Sequence, residues 1–452
     1  MIQETASKAP AALSVSAVEA IQTSNQGSLA EARARFPLNI VSNVLWLGLN
    51  MLVNVWYTPY LIGNLGVAVY GLIPLVNSMT NYMTIITQGF NSGVSRFLTL
   101  DLASEDPEAA NQTFNTTLFG SLIIIAILLP VTLALTYLAP YIFDVPVGHT
   151  MGLRWLVLMT SLTLMLTTFA SSFTTSSYAQ HRFDLRLLLN IARLALQVGI
   201  VVMFFTLEEP QLWHVGLGMV ASGFIFLAGH QRLWRKLTPE LRIAPRLFEK
   251  SRLGEIFGFS GWVLVSRIGS LLFLNIDLIV ANLVFGAEVA GRYGSVILFP
   301  TLLRTLVNTI DGVLTPIMLT LYAQRNYRGL VKVAQKSVKF TGLLIALPIG
   351  LLCGLARPLL SIWLGPDFAD LSWLVIALVS HLCINTAVIP LFAIQIATNK
   401  VRLPGLVTVT TGIVNALFAY SLARWSNWGY VSIAIAGAIV LTAKNALFTP
   451  LY

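Results

Sequence analysis

The sequence predicts an all-α protein that crosses a membrane many times. Hydrophobic residues make up 56% of its 452 residues and charged residues only 10%, whereas soluble domains carry roughly 25% charged residues. The apolar residues form long runs, and a helix needs about 20 of them to cross a bilayer. A transmembrane β-barrel would instead alternate in segments of roughly ten residues. A soluble fold of this composition could not cover its apolar surface.

About twelve runs have the length of a membrane-spanning helix. They lie near 38–61, 70–96, 113–138, 151–178, 184–207, 211–233, 254–284, 292–320, 338–360, 369–397, 402–423 and 429–448. The last residues, "AKNALFTPLY", place Pro450 where a further helix could begin. A chain truncated from fourteen helices and a short natural tail both fit this ending.

The basic residues predict the orientation in the membrane. Lys and Arg are concentrated in 232–252 and 321–337, whereas 207–211 and 364–371 contain none. By the positive-inside rule, the basic loops and the N-terminus are cytoplasmic. This distribution also accounts for the net charge of +9 without a nucleic-acid partner.

The chain offers no pattern typical of an enzyme site. It has no Walker A lysine motif, zinc-ligand cluster or nucleophile elbow, so we expect no cofactor and no metal. The two cysteines, Cys353 and Cys383, lie in apolar runs and predict packing roles.

The two halves of the sequence are similar at an offset of 220 residues. "LGVAVYGLI" (65–73) overlays "FGAEVAGRY" (285–293), which matches Gly66 with Gly286 and Gly71 with Gly291. Such duplication is common in transporters. It predicts a cytoplasmic mobile tail (1–36), a six-helix lobe (37–233), a basic linker (234–253) and a second six-helix lobe (254–452).

Polar residues recur every three or four positions on several of the predicted helices. The second run carries Asn81, Thr84, Gln88, Asn91 and Ser95, and the same offset leads to Thr301, Arg304, Asn308, Asp311 and Thr315. The first run carries Asn39, Asn43, Asn50 and Asn54. A charge at mid-membrane costs about 2.5–3.5 kcal/mol even on the mildest scale, so these faces are expected to avoid lipid. They predict a hydrated central cavity; polar contacts between helices are the alternative.

These features resemble a known family. The "LG…YG" turn at 65–71, the polar second run (70–96), "FGAEVAGRYG" (285–294) and "WLGPDFAD" (363–370) are similar to the polysaccharide-transporter branch of the multidrug/oligosaccharidyl-lipid/polysaccharide exporter (MOP) superfamily, the O-antigen flippase type. The resemblance implies two lobes around a central cavity, a bacterial cytoplasmic (inner) membrane and alternating access. It implies a flippase for an anionic, isoprenoid-pyrophosphate-linked oligosaccharide in polysaccharide biosynthesis. Other polysaccharide-assembly membrane proteins are candidate partners.

The candidate site follows from this chemistry. Arginine can bind phosphate oxygens bidentately, and neutral polar side chains can bind sugar hydroxyls. The substrate-binding candidates are Arg267, Arg304, Asp311, Asn308, Asn81, Gln88, Asn91, Asn43, Asn50, Arg193 and Lys444. The candidates for coupling to H⁺ or Na⁺ are Asp311, Asp277 and His381.

Each charged candidate has a structural alternative. Arg193 and Lys444 could reach lipid headgroups. Asp277 could neutralise Arg267 or Arg292, and Asp311 could counter Arg267 or Arg304. His381 could be a hydrogen-bonded core histidine.

Two other functions stay open at this point. A cation-coupled multidrug antiporter of the same superfamily commonly has an acid in its first helix, whereas the run at 38–61 has none. A membrane-embedded polysaccharide polymerase or ligase would need long external loops, and the predicted ones are short.

Overall fold

The computed structural model describes residues 41–103, 107–180, 182–398 and 402–451. Nearly all of them are helical. The helices are α1 (41–65), α2 (Val67–Ala103), α3 (Pro107–Ile142), α4 (Thr150–Ala179), α5 (Phe183–Leu207), α6 (Leu212–Leu237), α7 (Lys250–Val296), α8 (Leu298–Ala323), α9 (Tyr327–Trp363), α10 (Ser372–Ser380), α11 (Leu382–Asn385), α12 (Leu391–Ala397), α13 (Arg402–Trp425) and α14 (Val431–Ala443). The π-helical segment Lys444–Phe448 and the short helix Thr449–Leu451 follow α14.

The predicted all-α membrane architecture is confirmed. Within the described residues, nine segments are long and apolar enough to cross a membrane, and one of them covers both α7 and α8. The count of twelve spans and the boundaries of the two lobes stay predictions.

Two predicted segments differ from the structure. The loop expected at 321–337 is mostly the start of α9, whose N-cap Asn326 accepts a hydrogen bond from the Gly329 amide at 2.9 Å. The single helix expected at 369–397 is instead broken into α10, α11 and α12. Pro390 ends the turn between α11 and α12, and proline disfavours helical backbone in the residue before it.

The hydrophobic residues form a separate main core in each half. The first is built around Leu72, Leu75 and Leu156, and the second around Tyr293 and Leu374, all of which are buried. The halves meet mainly along α2 and α7. The segments 238–249 and 324–326 lie at what we call the basic end of the helices, and the loops 143–149, 208–211 and 364–371 lie at the opposite end.

The sequence repeat is visible in the backbone where the halves meet. Gly66 separates α1 from α2 with φ 78°, and Gly286 breaks α7 with φ 88°. Five residues later in each half, a Cβ on Gly71 would lie 2.5 Å from the Gly291 nitrogen, and a Cβ on Gly291 would overlap the Val67 carbonyl. Only glycine permits this backbone approach.

Further contacts hold the halves together at the opposite end. Asp144, in the loop after α3, accepts a hydrogen bond from the Ala287 amide at 2.8 Å. Its own amide and carbonyl bind the Asn282 side chain at 2.9 and 3.1 Å. The Trp363 indole donates to the Val55 carbonyl at 2.6 Å. We call these contacts, together with the pair Gly71–Gly291, the seam.

At the basic end, α3 holds the segment between α6 and α7. The Asn111 side chain binds the Glu240 carbonyl and the Arg242 amide at 3.0 and 2.7 Å. The Asn115 side chain binds the Arg242 carbonyl and the Ala244 amide, at 2.8 and 2.7 Å. These asparagines therefore fix the linker that joins the two halves.

Candidate functional site

One face of α8 is polar and exposed although the helix belongs to a membrane-spanning segment. Its exposed positions between 301 and 312 are Thr301, Thr305, Asn308, Thr309 and Gly312. The three threonine hydroxyls each donate to a carbonyl one turn earlier, at 2.8 to 2.9 Å. The Asn308 amide has no hydrogen bond to any described residue. An unpaired amide in contact with acyl chains is costly, so this face fits contact with water.

Arg304 lies beside this face, in a pocket between α7, α8, α10 and α14. The pocket has a volume of about 40 Å³ and is lined by Asp277, Thr301, Arg304 and His381, among others. That volume holds more than one water, since a single water needs about 10–15 Å³. Thr301 belongs both to the exposed face and to the pocket, so the two are continuous.

The charged groups of this pocket are incompletely paired. The Tyr293 hydroxyl donates to Asp277 Oδ2 at 3.0 Å, whereas Asp277 Oδ1 has no hydrogen-bond partner among the described residues. The Arg304 guanidinium forms neither an ion pair nor a hydrogen bond with any described residue. The Arg304 side chain is only partly buried. Its guanidinium therefore stays accessible to water or to an anionic ligand in the pocket that it shares with Asp277.

His381 connects the pocket to a second polar network. Its Nδ1 is 2.7 Å from the Asn385 amide nitrogen. That amide also donates to the Thr442 hydroxyl at 3.0 Å, and the Asn445 amide donates to Asn385 Oδ1 at 3.1 Å. His381 is thus a hydrogen-bonded histidine, and its role in coupling stays a prediction.

Lys444 begins the π-helical segment next to this network. Its ammonium lies 5.3 Å from the centre of the Phe392 ring and 3.5 Å from Asn445 Oδ1. Short π-helical segments are frequent at functional sites.

Asp311, two turns after Arg304, does not pair with it. Asp311 Oδ2 accepts a bond from the Thr315 hydroxyl at 3.3 Å, and Oδ1 has no partner among the described residues.

Arg292 does not pair with Asp277, because it binds Asp370 and the Asp367 carbonyl at the opposite end. The expectation that Asp277 could neutralise Arg292 is therefore wrong.

The candidates of the first half are dispersed. Asn81 donates to Asn275 Oδ1 at 3.0 Å and so contributes a polar contact between the halves. Asn54 donates to the Asn50 carbonyl at 2.7 Å, within α1. Asn43 is exposed. Arg193 is 3.4 Å from the Ser222 hydroxyl and 5.2 Å from the centre of the Phe226 ring. The side chains of Gln88, Asn91 and Arg267 lie outside the described part of the structure.

Sequence reasoning missed Tyr293, Asn385 and Asn445. Tyr293 follows the break at Gly286, so helical periodicity from Asp277 does not predict their contact. Asn385 lies in the broken segment that the sequence predicts as one helix. Asn445 lies in a π-helical turn, where the ordinary period of 3.6 residues does not apply.

Comparison with known proteins shows the family of this chain. A family model described as "Polysaccharide biosynthesis protein" matches residues 38–321. The chain belongs to this family. It is 33% identical over 420 residues to the uncharacterized membrane protein EpsK of Bacillus subtilis (strain 168), covering 92% of this chain and 83% of that protein.

Solved structures share the fold at low sequence identity. An inward-facing multidrug resistance MATE family transporter of the MOP superfamily has a TM-score of 0.70 and 14% identity, over 89% of this chain and 92% of its own. An outward-facing structure of such a transporter has a TM-score of 0.65 and 15% identity, over 91% and 94%. The predicted family is confirmed: the chain is a membrane protein of the polysaccharide biosynthesis family, and it has the fold of MOP-superfamily transporters.

Proposed function

We propose that this transporter flips an isoprenoid-pyrophosphate-linked oligosaccharide across the bacterial cytoplasmic membrane by alternating access. The basic end, with the N-terminus, is on the cytoplasmic side, as the positive-inside rule predicts. The observation that carries the proposal is Arg304, which forms no ion pair or hydrogen bond with a described residue and lies in a pocket continuous with a polar, exposed helix face.

Each part of the proposed substrate has a chemical counterpart. The Arg304 guanidinium suits pyrophosphate oxygens because its planar donors can bind two of them at once. The α8 threonines and Asn308 suit sugar hydroxyls, which vary in position and need neutral partners. Membership of a polysaccharide biosynthesis family supports the same substrate class.

The seam supports alternating access. The halves are in contact at the opposite end, while the polar face of α8 is exposed. If the seam opened and the halves closed at the basic end, the site would become accessible from the other side of the membrane. H⁺ or Na⁺ is the proposed coupling ion, with Asp277, Asp311 and His381 as candidate groups. Other polysaccharide-assembly membrane proteins are the proposed partners.

A cation-coupled multidrug antiporter is the second candidate, because the structural relatives are multidrug transporters. The described part of the first helix, 41–65, contains no Asp or Glu to bind a coupling cation. Efflux of lipophilic cations by vesicles containing the purified chain would support this candidate over the flippase.

Replacement of Arg304 tests the flippase. Hydrogen bonds to charged groups contribute about 1.5–3 kcal/mol, so Arg304→Ala should slow flipping of the lipid-linked oligosaccharide in proteoliposomes roughly 10- to 150-fold. Arg304→Lys should retain part of the rate. The matched control is Arg424→Ala, which removes an exposed arginine from the last turn of α13. Wild-type flipping by Arg304→Ala would remove Arg304 from the site, and no flipping by the wild type would refute the function.

A further inference from the structure

The first turns of α9 carry four cations on one side of the helix. Arg328, Lys332, Lys336 and Lys339 follow one another at steps of four, four and three, and all are exposed. At 100° per residue these steps place them on one face.

This face is directed away from the protein. The buried positions of the same turns are Leu330, Ala334, Ser337 and Thr341, which lie on the opposite side of α9. Farther along the cationic side are Leu343 and Leu347, which are 75% and 70% exposed. Large exposed leucines on a spanning helix are its lipid-facing surface, so the four cations lie directly below lipid.

The depth of these cations matches the lipid headgroups. With 37 residues, α9 is about 55 Å long at 1.5 Å per residue, whereas the hydrocarbon core is about 30 Å thick. Its apolar part begins at Phe340, next to Lys339. Lys336 then lies about 4.5 Å farther out, within a headgroup layer roughly 5–8 Å deep. Lys332 lies about 10.5 Å and Arg328 about 16.5 Å from Lys339 along the helix axis. Lys332 is therefore within the screening length of about 8 Å from the headgroup layer, and Arg328 is at its limit.

No acidic side chain of the described residues pairs with this surface. The sequence contains no Asp or Glu between Asp311 and Asp367. In the described part of the chain, none of the four cations forms an ion pair. The basic end of the first half is different: Glu240 and Glu249 alternate with the linker cations, and Arg182 pairs with Asp184 at 2.9 Å. Orientation in the membrane needs basic loops, but it does not require that the stretch 312–366 contain no acid.

We propose that this side of α9, the α9 cation stripe, binds the phosphate groups of anionic phospholipids in the leaflet at the basic end. Juxtamembrane lysines and arginines gain about 1 kcal/mol each from an anionic lipid surface, which is about fivefold in binding per cation. The stripe thereby gathers anionic lipid beside the second half. This lipid binding does not depend on the identity of the transported substrate.

The test measures lipid next to α9 in the full-length protein. A fluorophore is attached to Gln335→Cys, in a background with Cys353→Ser and Cys383→Ser, and the protein is reconstituted in phosphatidylcholine bilayers. Phosphatidylglycerol with a nitroxide headgroup is the quencher. The reference fluorophore sits at Ile243→Cys, an exposed linker position beside Arg242. We expect the fluorophore at 335 to be half-quenched at a phosphatidylglycerol fraction at least fivefold lower than the fraction that half-quenches the fluorophore at 243.

Two variants with equal loss of charge separate the stripe from net charge. Changing Arg328, Lys332, Lys336 and Lys339 to Gln should abolish the excess quenching near 335. Changing the exposed linker cations Lys236, Arg242, Arg246 and Lys250 to Gln should preserve it. One-sided accessibility of the thiol introduced by Gln335→Cys checks that orientation is retained. If the fourfold variant does not insert, Lys339→Gln alone and 1 M salt on the unmodified stripe should each reduce the quenching.

Equal quenching at both positions would overturn the proposal. So would displacement of phosphatidylglycerol by an equimolar, low fraction of isoprenoid pyrophosphate, because the stripe would then select the carrier lipid. Loss of flipping by Arg304→Ala leaves the stripe unaffected, so the two proposals fail separately.

Discussion

Gly66 and Gly286 occupy matching positions in the two halves, and their surroundings differ. Both have a positive φ, 78° and 88°. A Cβ on Gly66 would meet no atom of a described residue within 4 Å, whereas a Cβ on Gly286 would lie 2.8 Å from Asp144 Oδ2. The repeat has therefore kept the backbone break in both halves. Only the second break has acquired a side-chain partner from the other half.

The matching positions of α2 and α8 show the same divergence. Asn81 binds Asn275 between the halves, whereas Thr301 bonds within its own helix and lines the Arg304 pocket. Gly71 and Gly291 are the exception, since each approaches the backbone of the other half. Contacts of backbone with backbone have stayed symmetric, and contacts through side chains have not.

The largest expected effect comes from this symmetric contact. In Gly291→Ala the new methyl group would overlap the Val67 carbonyl, a backbone atom with little freedom to move. Overpacking typically costs 1–3 kcal/mol and occasionally more. Because the overlapping atom belongs to the backbone, we expect the free energy of unfolding to fall by about 3 kcal/mol or more. Thermal unfolding in detergent measures it. The control is Gly350→Ala in α9, where nothing lies within 4 Å and alanine should stabilise the helix by up to about 1 kcal/mol. Equal melting of both variants would refute the close approach.

The next effect distinguishes the two breaks. Gly286 combines φ 88° with ψ 178°, a region essentially restricted to glycine, so Gly286→Ala should cost about 1–3 kcal/mol. Contact with Asp144 should add to this cost. Gly66→Ala should cost less, because its strain is not accompanied by any contact. Added to Gly66→Ala, Asp144→Ala should lower stability by the same amount of about 1 kcal/mol that it costs the unmodified protein. Added to Gly286→Ala it should cost less than that, because it also removes the contact with the new methyl group. If Asp144→Ala changes both melting temperatures equally, the two breaks have the same surroundings.

Much of the fold was predictable because it depends on local composition. Apolar runs gave most of the helices to within a few residues, and the offset of 220 residues predicted two matching glycine breaks. The broken segment α10–α12 was missed because its apolar composition is continuous, and only Pro390 signals the interruption. The start of α9 was missed because its lysines suggested a loop, although lysine is a good helix former.

The candidate site was predictable only in part. Spacing along α8 placed Arg304 and Asn308 on one polar stretch, which is local information. The pairing of Asp277 with Tyr293 and of Arg292 with Asp370 depends on the path of the chain after Gly286 and on the loop after α9. Asp144 had no signal at all, since a lone acid in a short loop is normally solvated.

The smallest expected effect concerns Asp144 itself. Its carboxylate accepts from the Ala287 amide as a helix N-cap would, and loss of an N-cap costs about 1 kcal/mol. Asp144→Ala should therefore lower thermal stability by about that amount, and Asp144→Asn by less, because an amide oxygen can still accept the bond. Glu209→Ala, at an exposed loop position of the same end, should have no effect.

A double-mutant cycle with Asn282→Ala separates the carboxylate from the rest of the seam. Asn282 binds the Asp144 main chain, so Asp144→Ala leaves those two bonds intact when the loop holds its position. A coupling energy near zero would then mean that the two contacts act independently. A coupling of about 0.5 kcal/mol or more would mean that the loop moves as a unit. Neither contact has a counterpart at Gly66. A unit of this kind would therefore oppose opening of the seam at the Gly286 break and not at the Gly66 break.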